Sequence, residues 1–332
     1  MPVHAFTDEQ SRTLVNLVQR YEVWIEAERK LAALPYDLRR KEVGHRAYLY
    51  EIFDRGGNGR SLGPWSPEHE QRFAVFRSTK AAARERRDQT ARALQETSRL
   101  YRALRLPLLA SEAGEILREA DRRRMLGNSV LLVGTNALPA YVIEANGVIA
   151  DAPAETEDLD FAWSAETHAD APQLWPMLKA VDPTYTVNTE RPFQARNAKA
   201  YEVELLVAPS RAASLARLDQ PRPVPLPEQE WLLRGRSVDH VVVCRDGSPA
   251  RIVAPDPRWF ALQKLWLADQ PKRNPLKRSK DRKQGTALLD AVATAMAHYP
   301  LDDSFERELP DELGPIFSEW SRSRPQAPDP SW

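Results

Sequence analysis

The chain has 332 residues, 42% of them apolar, with 47 Lys and Arg against 47 Asp and Glu. That composition excludes wholesale disorder, and the zero balance excludes a bulk polyanion binder, so any nucleic-acid contact must come from a local patch. The lone cysteine, Cys244, excludes a disulfide framework and a thiolate metal site, and its apolar neighbours in "VVVCRD" suggest a buried thiol. No uncharged apolar run reaches about 18 residues, and no basic start leads into an apolar signal core, so the sequence reads as a soluble, cytoplasmic protein with no membrane span.

Residues 1–125 read as a mostly helical region. Thr7 with Gln10 three positions on resembles a capping box, and Leu14, Leu17, Val18, Tyr21 and Ile25 then recur at helical spacing. Near 46–63 the texture changes: "HRAYLYEIF" alternates and "DRGGNG" is turn chemistry, which predicts a small β-hairpin carrying Tyr48, Tyr50 and Arg60. From Ser66 to Met125 an Arg-rich helical stretch follows, broken at Pro107. Its arginines sit among Glu and Asp, so a solvated face is the default reading and a phosphate-contacting face the alternative.

Residues 126–255 have the texture of a catalytic core. "SVLLVGTN" is a strand ending in glycine; Thr135 is placed to cap a helix from Asn136, with Pro139 in its first turn. Then come the strand "DLDFAW", a helix around "APQLWPMLKAV", the strand "AYEVELLVA", the Pro-rich surface connector "DQPRPVPLPEQEW" and a hairpin turning at Asp246-Gly247. Residues 256–315 read as helical, opening on Asp256-Pro257 as cap and first turn, and 316–332 as a disordered tail.

Side chains alternate along a strand, so Asp158 and Asp160 share one face and Leu159, Phe161 and Trp163 the other. Two steps of about 3.3 Å put the two aspartates roughly 6–7 Å apart, close enough to converge on one cation or to bridge two. Glu157 falls on the core-facing register. A two-metal site needs a further carboxylate from a neighbouring strand; Glu202 and Glu204 share a face of "AYEVELLVA", and Glu204, deeper in the apolar run, is the better candidate. Gly134 permits close backbone approach at a helix start, where N–H groups receive a phosphate, and Thr135 adds a hydroxyl.

In that order, "LLVGTNALPAY", "TEDLDF" and "VELLV" resemble the nucleotidyltransferase superfamily of DNA polymerase beta and the tRNA nucleotidyltransferases, and more closely a bacterial family of stand-alone nucleotidyltransferases. "FALQKLWLA" followed by "KDRKQGTALL" is similar to that family's helical part, and resembles the helices after the catalytic sheet in abortive-infection-type nucleotidyltransferase toxins. The resemblance spans roughly residues 128–295. It implies an α+β fold with a polymerase-beta-like core, a small mixed sheet with helices, preceded by the helical region and its hairpin and followed by a helical C-terminal part. It also implies ATP or another NTP as substrate, Mg2+ or Mn2+ held by Asp158, Asp160 and Glu204, and transfer to an acceptor such as RNA, a protein or a small molecule. By position, Gly134, Thr135 and Asn136 match the phosphate turn, and Lys264 and Lys280 the triphosphate contacts. Two departures stand out: Thr135 replaces the more usual Ser or Gly, and Glu204 replaces the more usual Asp, shifting a carboxylate by one C–C bond where about 1 Å matters.

Other readings compete. Lys264 among Phe260, Leu262 and Trp266 could simply snorkel, and the cluster "KRNPLKRSKDRK" reads equally as a solvated loop or as a contact for triphosphate or RNA. A restriction-type nuclease would place a lysine two residues after its strand acid, and neither strand has one. A metal-dependent glycosyltransferase would place a nucleotide-binding α/β half before the acid pair, where this chain is helical. A degenerate nucleotidyltransferase that binds nucleotide or nucleic acid without turnover is the remaining alternative. Like-charge repulsion between two unused aspartates argues against it.

Overall fold

The computed structural model describes residues 3–150 and 158–324. The chain divides into two compact units, one of residues 15–100 and one combining 1–14 with 101–332. In chain order the elements are β1 (Val3–Ala5), α1 (Asp8–Ala32), β2 (Asp37–Val43), β3 (Arg46–Ile52), β4 (Gly59–Pro64) and α2 (Pro67–Ala103). Then follow β5 (Leu108–Leu109), α3 (Ser111–Arg122), β6 (Val130–Val133), α4 (Leu138–Glu144), β7 (Gly147–Ile149), β8 (Asp158–Trp163) and α5 (Leu174–Val181). After these come β9 (Thr186–Val187), β10 (Gln194–Arg196), β11 (Glu202–Val207), β12 (Val238–Cys244) and β13 (Pro249–Ala254). The last are α6 (Pro257–Asp269), α7 (Pro275–Ala295), α8 (Asp303–Glu308) and α9 (Gly314–Ser323).

In the unit of residues 15–100, helices and a small sheet share a core of Leu38, Leu49 and Phe76, with Leu62, Trp65 and Phe73 packed against it. The sheet has three antiparallel strands in the order β2-β3-β4. The hairpin expected near 46–63 is therefore only its second half. β2 has no visible sequence signal, because "DLRRKEV" holds a single core residue, Leu38, among charges that hide the alternation. Part of the arginine-rich helix is inter-helical rather than solvated: Arg20 of α1 donates to Ala93 O at 2.6 Å and Thr97 Oγ1 at 2.7 Å on α2.

The larger unit is a mixed α+β assembly. Its main sheet runs β6-β8-β11-β10-β9, with β8 and β11 parallel and the other pairs antiparallel. A second sheet orders β13-β12-β5 and a third pairs β1 with β7. One face of the main sheet is the core: Leu159, Phe161, Trp163, Val203, Leu205 and Val207 are all buried. Each such side chain contributes about 1.5–3 kcal/mol over an exposed position, which decides which face is left for polar residues.

Several local expectations hold. Thr7 and Gln10 form the reciprocal capping box, with Thr7 N donating to Gln10 Oε1 at 2.9 Å and Gln10 N to Thr7 Oγ1 at 3.3 Å. Asp256 caps α6 by accepting from Arg258 N at 2.9 Å, and Cys244 is buried.

Others are corrected. Residues 1–14 and 101–125 belong with the larger unit, so the helical region does not end as one block at 125. Residues 316–323, expected as disordered tail, lie in α9, whose Phe317 and Trp320 are buried; residues 325–332 of that tail lie outside the described residues, as does Glu157. The Pro-rich connector is not merely superficial. Fully buried Asp219 accepts from the backbone N–H groups of Gln173, Leu174 and Trp175 at 2.7–3.0 Å, capping α5 from 45 residues away, and Trp231 is buried in a 3-10 turn over Pro227–Leu233. Among the described residues no helix is long and apolar enough to cross a membrane.

Candidate active site

The parallel pairing of β8 with β11 sets Glu202 beside Asp158 and Glu204 beside Asp160. All four carboxylates therefore project from the polar face of adjacent strands, opposite the buried one. Burial pushes the Asp160 carboxyl up to about 7, helped by the negative charges of Asp158 and Glu204 and opposed by Lys264 and Lys277. Burial also raises Glu204, reinforced by Asp158. The raised values are the electrostatic signature of like charges gathered in a poorly solvated place.

The glycine turn closes over this pair. Gly134 has φ +70°, and a Cβ there would overlap Asp160 Oδ2; only glycine admits both the left-handed backbone and the carboxylate against it. Thr135 does not cap the following helix as its sequence position suggests. Residues Thr135–Ala137 form a 3-10 turn leading into α4, Gly134 occupies the cap position, and the Thr135 hydroxyl accepts from Gln284 Nε2 at 3.3 Å. Asn136 donates from Nδ2 to the backbone carbonyl of Asp158 at 2.7 Å, pinning the turn to the acid strand.

The basic cluster is not a loop. From Pro275 onward it is the opening of α7, capped by Asn274, whose side chain accepts from Leu276 N at 2.9 Å. Helical spacing puts Lys277, Asp281 and Gln284 on one face, and Lys277 reaches Asp158 Oδ2 at 3.7 Å. Gly285 lets α7 close on α6: a Cβ there would lie 2.7 Å from Leu265 Cγ and 2.8 Å from Ala261 O. Close approach pairs Lys264 with Asp281 at 2.9 Å, and Arg273 joins the same carboxylate at 2.7 Å. Lys264 is only 6% exposed, so it does not snorkel to solvent; it is one of two cations sharing a buried acid. Lys280 is half-buried, and its ammonium is held below the usual lysine range first by burial and then by Lys264, with Asp158 and Asp281 acting the other way.

Glu204 is tethered on its far side. Fully buried Gln194 of β10 donates from Nε2 to Glu202 Oε2 at 2.7 Å and Glu204 Oε1 at 3.1 Å, while its own Oε1 accepts from Asn188 Nδ2 at 2.7 Å. Gln194 and Gln284 do not stand out in the sequence, and Lys277 appears there only as one member of the basic cluster. For Lys277 and Gln284 a signal existed: Asn274-Pro275 has the same cap-then-proline form as Asp256-Pro257, and once it is read as a helix start the 277/281/284 face follows. Gln194 carried no such signal, because its strand is three residues long.

Among the described residues, no set of three His, Cys, Asp or Glu side chains is gathered as a group that could hold a metal ion by itself. The hard oxygen donors of Asp158 and Asp160 fit a magnesium site that takes its other ligands from substrate phosphates, since Mg2+ is typically held by one or two carboxylates plus phosphate oxygens and water.

Fold and site together define an α+β protein that presents strand carboxylates, a glycine turn and helix-borne cations on one face, the equipment of phosphate chemistry. A family model described as Nucleotidyltransferase matches residues 111–310, more than half of the chain, and the chain belongs to that family. Comparison with curated proteins and with solved structures returns no match. The matched span falls wholly inside the larger unit and leaves residues 15–100 outside it.

Proposed function

We propose that the chain is a metal-dependent nucleotidyltransferase that moves a nucleoside monophosphate from an NTP such as ATP to a hydroxyl acceptor, with pyrophosphate leaving. The main sheet is read as the polymerase-beta-like core. The observation that carries the proposal is the parallel register that sets Asp160 beside Glu204, with the Gly134 turn laid against the Asp160 carboxylate. One buried thiol and the absence, among the described residues, of a membrane-capable helix fit a cytoplasmic setting.

In this reading Asp158 and Asp160, with Glu204 as the third acid, hold Mg2+ or Mn2+, which when bound supplies neutralisation of the phosphate charge. The chain's own residues do the rest. Backbone N–H groups at Gly134, Thr135 and Asn136 receive phosphate oxygens. Lys277 and Lys280 on α7 attract the triphosphate, and Lys264 contributes through the cationic Lys264–Asp281–Arg273 trio rather than as a free ammonium. The Glu204 carboxylate, whose proton affinity burial raises, takes the acceptor's proton. The acceptor oxygen bonds to the α-phosphorus, the bond to the bridging oxygen breaks, and the proton passes to the Glu204 carboxylate.

Transfer of α-labelled NTP with Mg2+, comparing the wild type with Asp158→Ala/Asp160→Ala, tests this. Label should reach an RNA, protein or small acceptor only with the wild type. The second reading, binding without turnover, is favoured by the lack, among the described residues, of a group of three acids placed to hold a metal ion and by the Gln194 tether on Glu204. It gains the field if wild type binds NTP but labels nothing.

A further inference from the structure

The unit of residues 15–100 lies outside the family match and has a different charge, 17 Lys and Arg against 12 Asp and Glu in a chain that is otherwise acidic. Its three-stranded sheet turns one face to the core through Leu38 and Leu49. The strand register fixes what stands on the other. Arg39 pairs with Tyr50, Lys41 with Tyr48, and Val43 with Arg46, so these side chains share the face opposite Leu38 and Leu49; Ile52, opposite Asp37 on the same register, is buried, so the outward part of that face runs from Arg39 to Arg46. Ser61 of β4 lies opposite Tyr50 on the same side. Arg60, by contrast, stands opposite Glu51 on the other register and is bound to it at 2.9 Å.

Arg39, Lys41 and Arg46 are exposed, and Tyr48 and Tyr50 are half-buried. Arg39 is shared with Asp37 at 3.0 Å, whereas Lys41 and Arg46 have no carboxylate partner among the described residues. The Lys41 ammonium lies 4.9 Å over the Tyr50 ring, so that ring presents its π-face to a cation on the open side of the sheet rather than to the core. Rows of cations interleaved with partly exposed aromatic rings have one well-matched occupant: phosphates meet the cations, and unpaired bases stack on the rings. An acidic peptide would use the cations and leave the two tyrosines without a purpose.

We propose that the outward face of the β2-β3-β4 sheet binds single-stranded nucleic acid. This does not rest on the transferase reading, since binding needs neither NTP nor metal. Three cations on the face set the salt dependence: at about 0.7 counterion released per phosphate contact on a single strand, log K should fall with log[salt] at a slope of about −2.

The test is fluorescence anisotropy on the full chain without NTP and with chelator, using labelled U12 and dT12, the duplex form, and poly-glutamate as competitor. Binding of U12, dT12 or both, stronger than of duplex, with the expected slope, supports the proposal; the two oligonucleotides distinguish RNA from DNA as its source. Tyr48→Ala/Tyr50→Ala should weaken binding by about 10- to 100-fold, from the stacking typical of one or two bases, while Tyr48→Phe/Tyr50→Phe should keep it. Lys41→Glu/Arg46→Glu changes only exposed side chains and should abolish binding at 150 mM salt, which keeps the test valid if the alanine pair unfolds. The proposal is overturned if wild type binds neither oligonucleotide at 50 mM salt or if the charge-reversal pair binds as wild type does. Poly-glutamate displacing U12 at equal charge concentration would also overturn it, in favour of an acidic protein partner.

Discussion

The two units of this chain solve opposite electrostatic problems with the same device, a sheet that buries one face and exposes the other. On the main sheet the polar register collects Asp158, Asp160, Glu202 and Glu204, and burial, helped by the charges of Asp158 and Glu204, pushes Asp160 up to about 7. On the β2-β3-β4 sheet the exposed register collects Arg39, Lys41 and Arg46 around two tyrosines. The acids need cations brought from elsewhere, and α7 supplies Lys277; the basic face is left open. A strand pair that concentrates one sign of charge is destabilised by it. Such concentration therefore marks where a ligand of the other sign is expected.

The largest effect should separate the two faces cleanly. Asp158→Ala/Asp160→Ala is expected to lower nucleotidyl transfer by more than about 1000-fold, the scale of losing a positioned charge at the reacting centre, while oligonucleotide binding by the full chain stays within twofold. Loss of both together would break the comparison. Next, Gly134→Ala forces a methyl group into the Asp160 carboxylate at a left-handed φ. It should cost about 1–3 kcal/mol of stability and at least 100-fold in transfer, measured by denaturant unfolding and by label transfer.

A third effect lies in the larger unit but away from the acids, at Glu144. Its carboxylate accepts from His298 Nε2 at 2.5 Å and also contacts His240 Nε2, with Arg236 4.0 Å away. Burial works to raise it, but the two histidines prevail and hold it at about 2. A depressed acid stabilises the fold above its unfolded value near 4.5 and loses that contribution as pH falls towards 2. The pH 5 to 2 limb of a stability profile should therefore flatten in Glu144→Gln, by up to about 3 kcal/mol at one unit of pKa per 1.4 kcal/mol. An unchanged limb would refute it.

The smallest effect has the opposite sign. Asp160 is raised rather than lowered, so the folded state favours its neutral form and stability falls as pH climbs from about 4 to 7. In chelator, Asp160→Asn should raise Tm by about 2–4 °C at pH 8 and leave it unchanged at pH 4. An equal shift at both would mean that packing, not charge, is responsible. No comparable gain is expected from removing single charges on the basic sheet, where solvent screens them.

Much of the site was legible because its parts are local. Alternation in "DLDFAW" and "VELLV" assigned faces, and Thr7–Gln10, Asp256-Pro257 and Asp246-Gly247 announced caps and turns through the backbone's own hydrogen-bonding rules. The strand DLRRKEV was not legible, because one buried leucine cannot reveal a period of two. The charged run at 272–283 reads equally as loop or ligand contact, because partners such as Asp158 for Lys277 lie far away in sequence. Sequence periodicity thus determined which side of each strand is polar and which residues were candidates. Only the tertiary structure decided that β11 lies beside β8 in parallel, that Gln194 grips Glu204, that Asp219 caps α5, and that Lys277 meets Asp158. Those contacts span roughly ten to over a hundred residues, and they depend on register and loop closure, which no local pattern of side chains encodes.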